Sequence, residues 1–239
     1  MVVTGLPLAR MRKHPMRARF VARPNRFAAR VILPGAREAV AHLPNPGRLT
    51  GTLAPGCQVL LDGPFPSPRA YPFTLIAAQE PTALVGTVTT YANRLFAHLW
   101  CSGWLPELGG GELAAEVPCG SSRFDFKAGG TLVEVKSVTL ARQGMGLFPD
   151  AVTARGARHC GELAALARRG VPAAIVFIAQ RGDVKAIAPA WDIDPQFTRS
   201  LRRAATAGVT VLGDAAEITP SGACRVARVP VLLRTSPPR

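Results

Sequence analysis

Between residues 16 and 90 the apolar and polar positions alternate over short distances, with no helical period. "ARFVARPNRFAARVIL" alternates and then runs apolar, and "EAVAHLP", "CQVLLDG", "YPFTLIAAQ" and "ALVGTVTT" follow as further short runs. "LPGA", "LPNPGRLTGTLAPG" and "DGPFPSPRA" separate them and supply the Pro and Gly that turns require. Five short strands with connections of uneven length predict a small closed barrel. An OB-fold is the natural candidate, a barrel type that commonly binds oligonucleotides. An SH3-like barrel fits the pattern almost as well.

The pattern changes at Thr90. "YANRLFAHLWCSG" puts Leu95, Leu99 and Trp100 on one helical stripe, with Gly103 as its stop. Past the loop "WLPELGGGEL" come three strand-like runs, "LAAEVP", "SRFDFKA" and "TLVEVKSVTL", the last two joined by Gly129-Gly130 as a hairpin turn. The loop "ARQGMGLFPDAVT" then leads into an amphipathic helix, "ARGARHCGELAALARRG", whose apolar side carries Leu163, Leu166 and Ala167. "VPAAIVFIAQ" is apolar throughout and therefore a central strand. "DPQFTRSLRRAATAG" reads as another helix and "VTVLGDA" as a strand. The expectation is two domains: a barrel over residues 16–88 and an α/β domain with a mixed sheet flanked by helices over 89–232. A basic tail at 1–15 and a frayed tail at 233–239 complete it.

Composition narrows the setting. A chain of 239 residues with 48% apolar content supports its own core. The cysteines at 57, 101, 119, 160 and 224 are odd in number, widely spaced and never in a CxxC pair. That speaks against a disulfide framework or a zinc knuckle and fits a reducing cytosol. The N-terminal stretch has no apolar run of signal-peptide length, and no stretch reaches a membrane span. A cytoplasmic protein without a membrane partner is expected; a homodimer is compatible with the sequence.

Charge points to a partner. The net charge is +14 with a pI near 11.1, an excess that attracts phosphates and supplies sequence-independent affinity for nucleic acid. Residues 1–85 carry a net +8 and residues 86–239 a net +6. Arginine makes up 25 of the 29 basic residues, a preference that codon bias also produces. In the barrel, Arg23, Asn25, Arg26 and Arg48 sit near Phe20, Phe27 and Tyr71, and arginine forks with aromatic platforms are what single-strand binders use. For Phe20 and Phe27 the barrel core is the favoured place. "HLPNPGRL" adds His42 and Asn45 in a loop, where polar groups more often bind than pack.

Against this basic background "RFDFKAGGTLVEVKSVTL" stands out. Glu134 and Lys136, two apart on a strand, project to the same side. Asp125 on the preceding strand lies beside them if the glycine turn sets the register. Two carboxylates converging on one point repel unless a cation lies between them or one is protonated. Mg²⁺ (or Mn²⁺) fits such a site: hard oxygen ligands, retained waters and a substrate phosphate complete its shell. Lys136 beside it would orient a water or steady charge on the phosphate.

The D-x8-E-x-K spacing resembles the PD-(D/E)xK nuclease superfamily. More narrowly, "RFVARPNRFAARV", "AHLPNPGRL", "YANRL", "EVPCGSSRFDF", "VEVKSVTL" and "FPDAVTARGARHCGELAAL" occur in the order found in the sugar fermentation stimulation protein A family. That resemblance covers nearly the whole chain. It implies an N-terminal OB-fold joined to a PD-(D/E)xK nuclease-like α/β domain. It also implies DNA binding linked to sugar utilisation in bacteria, or, as the alternative, Mg²⁺-dependent phosphodiester cleavage of DNA or RNA. Carried over by position, Asp125, Glu134 and Lys136 match the nuclease core, with Glu116 as a third carboxylate. The first helix departs from the superfamily pattern, offering Asn93 where many members have an acid.

Other residues rank behind this cluster. Arg155, Arg158, His159 and Glu162 share a helix face at i, i+3, i+4 and i+7. Arg155, Arg158 and Arg123 are candidate phosphate contacts, and His159 is expected as a hydrogen-bonded structural histidine. Asp150 in "FPDAV" follows the E-x-K instead of preceding it, so a helix N-cap or a loop acid is its expected role. No G-x-S-x-G elbow, P-loop or G-x-G-x-x-G is present, which disfavours serine hydrolase, NTPase and dinucleotide chemistry.

Overall fold

The computed structural model describes residues 15–66, 70–120 and 122–233, with only the backbone of 223 and 224. Apart from residues 15 and 233, the two expected tails lie outside the described residues. Six strands form the first unit: β1 (Met16–Asn25), β2 (Ala28–Leu33), β3 (Arg37–His42), β4 (Gln58–Asp62), β5 (Phe73–Gln79) and β6 (Leu84–Gly86). Their order is β3-β2-β1-β4-β5-β6, and a parallel pairing of Ala41 with Phe73 and His42 with Thr74 closes the first five into an OB barrel. Six strands replace the expected five because the first run is two. The Asn25 side chain accepts a hydrogen bond from the Phe27 amide (2.9 Å) and turns the chain at Arg26. Phe20, Val31, Leu61 and Leu75 fill the barrel interior.

The second unit begins with α1 (Thr90–Cys101) and a short 3-10 turn at Pro106–Leu108. Strands β7 (Leu113–Cys119), β8 (Ser122–Ala128) and β9 (Thr131–Val138) follow, then β10 (Leu140–Arg142), β11 (Met145–Phe148) and α2 (Ala154–Arg168). The chain continues through β12 (Ala173–Ala179), β13 (Ala186–Pro189), α3 (Pro195–Thr206), β14 (Thr210–Thr219) and β15 (Gly222–Arg228). The main sheet is mixed, ordered β15-β14-β12-β9-β8-β7, and β10-β11-β13 form a small second sheet. β10, β11, β13 and β15 are absent from the sequence expectation. Three of them have only three or four residues, too short to display a period, and Gly144 and Gly146 disguise the β10–β11 hairpin as loop.

Both faces of the sheet are covered. On one face Val133, Val135, Val176 and Ile178 pack beneath α1 through Leu95, Phe96 and Leu99, together with Leu60, Ile76 and Ala77 of the barrel. On the other, Ile175, Phe177 and Leu132 pack against Leu163 of α2 and Phe197 and Leu201 of α3. β9 and β12 pair in parallel at the centre and are buried almost throughout, the burial that parallel strands require.

The barrel and the α/β unit share hydrogen bonds as well as core. The Gly86 amide donates to the Gln180 carbonyl (2.9 Å). The buried Arg181 guanidinium forks onto Glu80 of the barrel (2.8 and 3.0 Å) and onto Asp183 (2.7 and 2.8 Å). Burial opposes the Arg181 charge, but these two carboxylates more than offset it and raise its pKa. Among the described residues no helix is long and apolar enough to cross a membrane.

Candidate functional site

A cleft of about 420 Å³ opens where the two units meet. Asn45, Pro46 and Gly47 line it from the barrel, Thr90 and Asn93 from α1, Asp125 from β8, and Glu134 and Lys136 from β9. Asp150, Val152 and Arg155 close it from the segment entering α2. That helix is N-capped by Thr153, whose hydroxyl accepts from the Gly156 amide (3.0 Å). Asp150 is therefore a loop acid and not the cap.

The cleft floor is made where β8 and β9 part. Their ladder runs from the Gly129-Gly130 turn only as far as Phe126 opposite Val133. Beyond it the Asp125 carboxylate takes the Val135 amide at 2.8 Å, the donor a continuing strand would have bonded. Asn93 of α1 donates to the other Asp125 oxygen (2.9 Å), so the asparagine at the expected acid position holds the aspartate. Burial, and then the charge of Glu134, push the Asp125 pKa up, as two carboxylates sharing a site require.

Glu134 titrates the other way. Burial alone would raise its pKa, but the contacts with His159 and with the Lys136 ammonium hold it below the usual range. Lys136 Nζ donates to Glu134 Oε1 at 2.6 Å, with the two side chains only 10% and 7% exposed. His159 Nδ1 lies 2.6 Å from the same oxygen, while its ring packs edge-on to Phe124. Glu134 Oε2 is buried with no hydrogen-bond partner. A buried carboxylate oxygen left unpaired costs free energy unless something else meets it.

The remaining predicted residues divide. Arg26 and Arg155 are exposed at the cleft rim. Arg48 and His42 are exposed on the barrel. Glu116 also lines the cleft, but its carboxylate pairs with Arg123 at 2.8 Å and both side chains are more than half exposed. Arg158 pairs with Glu162 at 3.6 Å. Arg23 is not a free phosphate fork: its terminal nitrogens donate to the carbonyls of Arg26, Asn45, Gly47 and Arg48. Asn45 is buried too, donating to Thr87 O (2.9 Å) and accepting from the Gly47 amide (2.8 Å). Both residues shape the loop. Asn25 serves the β1–β2 turn. Phe20 is core as expected, whereas Phe27 is exposed, with the Arg26 guanidinium 5.8 Å from its ring centroid.

The expected single face of α2 is split. His159 is 1% exposed and faces inward onto Glu134, while Arg155 and Arg158 face solvent. Sequence reasoning missed His159 as a neighbour of Glu134 and Asp150 as part of the cleft wall. The four-residue step from Arg155 to His159 was the available signal for the first; nothing local signals the second.

Among the described residues no group of three or more His, Cys, Asp or Glu side chains is arranged to hold a metal. A buried and a half-buried carboxylate with one unpaired oxygen instead fit a hard divalent ion that keeps most of its waters.

Comparison with known proteins places these features in context. Residues 21–87 match the SfsA N-terminal OB domain and residues 90–222 the sugar fermentation stimulation protein RE domain. A sugar fermentation stimulation protein homolog from Moorella thermoacetica is 41% identical over 91% of this chain and 97% of its own. A homolog from Pseudomonas paraeruginosa is 39% identical over 90% and 96%. Among solved structures, that of Pyrococcus furiosus SfsA, described as in complex with Ca²⁺, superposes with a TM-score of 0.84 at 26% identity. It covers 95% of this chain and 99% of its own.

Proposed function

This chain belongs to the sugar fermentation stimulation protein family, and from that premise we propose that it binds DNA through the cleft between barrel and α/β unit, in the control of sugar use that the family name describes. The observation that carries the reading is the buried, partnerless Glu134 Oε2 beside Asp125, beneath Arg26 and Arg155, which form no ion pair among the described residues. An electropositive rim over a carboxylate floor suits a phosphodiester and a divalent cation together. In the proposal Asp125 and Glu134 hold the ion, Mg²⁺ or Mn²⁺. The Ca²⁺ described for the Pyrococcus furiosus protein supports a hard divalent ion with oxygen ligands. Once bound, such an ion neutralises charge on a phosphate oxygen and lowers the pKa of a coordinated water. Asn93 and the Val135 amide fix the Asp125 carboxylate, Lys136 and His159 fix that of Glu134, and the arginines orient the backbone.

Binding measured by fluorescence anisotropy on random-sequence duplex DNA tests this. With roughly 4–6 phosphate contacts, log affinity should fall against log salt with a slope of about −4 to −5. A flat salt response, or one sequence preferred by several decades, would sink the proposal. A second reading, a metal-dependent phosphodiesterase on DNA or RNA, is favoured by the intact Asp125, Glu134 and Lys136 set. Incubating the protein with DNA and RNA in Mg²⁺ or Mn²⁺ separates the two. Cleavage lost in Glu134→Gln and Lys136→Ala establishes the enzyme, and DNA retained uncut establishes the binder.

A further inference from the structure

Three large apolar residues are exposed among the described residues: Phe27 at 46%, Val152 at 71% and Leu232 at 38%. Single exposed apolar side chains are ordinary. Here, however, one of the three lines the cleft and a second directly follows a residue that does. Val152 lines it from the α/β side, two residues past Asp150. Phe27 stands on the barrel side at the tip of the β1–β2 hairpin, beside Arg26, which lines the cleft. The hairpin is braced: Asn25 accepts from the Phe27 amide, and Arg23 ties the Arg26 carbonyl to the 45–48 loop. Phe27 is therefore held in solvent by a rigid turn instead of settling into the barrel. In OB barrels this first hairpin is one of the loops that meet oligonucleotides.

The chemistry of a duplex exterior does not call for these residues. An intact duplex presents phosphates and sugars outward with its bases stacked inside, so an exposed phenyl ring and an isopropyl group gain little against it. Unpaired bases offer a π-face to the first and an apolar face to the second, and the neighbouring arginine adds a cation over the ring.

We infer that the cleft takes single-stranded nucleic acid, with one base stacked on Phe27 and its neighbour against Val152 as the backbone passes Arg26 and Arg155 toward Glu134. This rests on the nucleic-acid reading above and adds the strandedness of the ligand. A duplex enters only where it is frayed, bulged or melted.

The test is anisotropy of the full-length protein with labelled single-stranded DNA, single-stranded RNA and the matching DNA duplex, in EDTA so that nothing is cleaved. Single strands should bind at least about tenfold tighter than duplex. Phe27→Ala should weaken single-strand binding about 5- to 100-fold, and Val152→Ser by a smaller factor, with duplex binding unchanged in both. Both positions are exposed, so a melting curve checks that the fold survives. A preference for one single strand over the other identifies the sugar and supports the inference either way. Duplex bound as tightly as single strands, or single-strand binding indifferent to both substitutions, overturns the inference. If duplex binding still falls in Arg155→Ala, the nucleic-acid reading survives that loss. Absence of binding to all three ligands overturns both.

Discussion

Glu134 is held at one oxygen by an ammonium and an imidazole and left open at the other. Adding Mg²⁺ or Mn²⁺ should raise the melting temperature, since a ligand of the native state alone stabilises it. Asp125→Asn and Glu134→Gln should each abolish that rise. Lys136→Ala should keep it, from a baseline lowered by about 3–5 kcal/mol, because it strips a buried carboxylate of its countercharge. A metal-dependent shift persisting in Glu134→Gln would move the ion elsewhere. The pH dependence follows from the opposed shifts. Asp125 keeps its proton to higher pH when folded than when unfolded, so its contribution is lost as pH rises through the raised value. Glu134 is the reverse: its contribution is present above the ordinary glutamate range and is lost as pH falls through its lowered value. Since an ion must displace the Asp125 proton, the metal-induced rise in melting temperature should grow as pH increases through the raised Asp125 pKa, and fade on the acid side. Thermal shifts taken across that range, with and without ion, check the sign.

At the scale of elements, the barrel loop at 45–48 is shaped by a residue of the other unit. Asp150 Oδ2 accepts from the Leu49 amide (3.0 Å), and its carboxylate lies where a side chain on Gly47 would stand. Gly47→Ala should therefore cost about 1–3 kcal/mol. The cost should shrink in an Asp150→Ala background, with a coupling of at least about 0.5 kcal/mol in a double-mutant cycle on stability. Additive effects would mean the loop holds itself. This contact also marks where sequence reading stops. Asp125, Glu134 and Lys136 were legible because strand period and a Gly-Gly turn are local rules, and each places its residue without reference to the rest of the fold. Asp150, His159 and Arg23 were not, because their partners lie on other elements and no local pattern carries that pairing. The strand count failed for a related reason: a two-residue turn inside "ARPNRFAARV" and strands of three or four residues leave no period to read.

At the scale of the whole molecule, the seam between the units is buried and charged at its heart, so they should unfold together. Calorimetry should record a single transition. Arg181→Ala leaves Glu80 and Asp183 facing each other without a cation. It should cost about 3–5 kcal/mol, roughly 6–20 °C at this chain length, or divide the transition in two. Two transitions in the unmutated protein would argue that the seam couples little. The arginine, and the hydrogen bonds it makes, bring the Asp183 pKa down to about 2. Wild-type stability from this pair is therefore present above the ordinary aspartate value of 3.8 and lost between there and about 2. Arg181→Ala should lose that acid-side slope.

Glu116 invites a last consequence. It lies on β7, one of the two edge strands of the main sheet, and its backbone is left-handed at a φ of 56°. An open strand edge is a template on which other chains can add, and proteins blunt such edges with kinks, prolines and charge. β7 carries all three: the reversed φ at Glu116, Pro118 two residues on, and the Glu116–Arg123 pair across to β8. The same glutamate that attracts notice as a ligand thus helps keep a protein with an otherwise bare sheet margin from stacking edge to edge into aggregates.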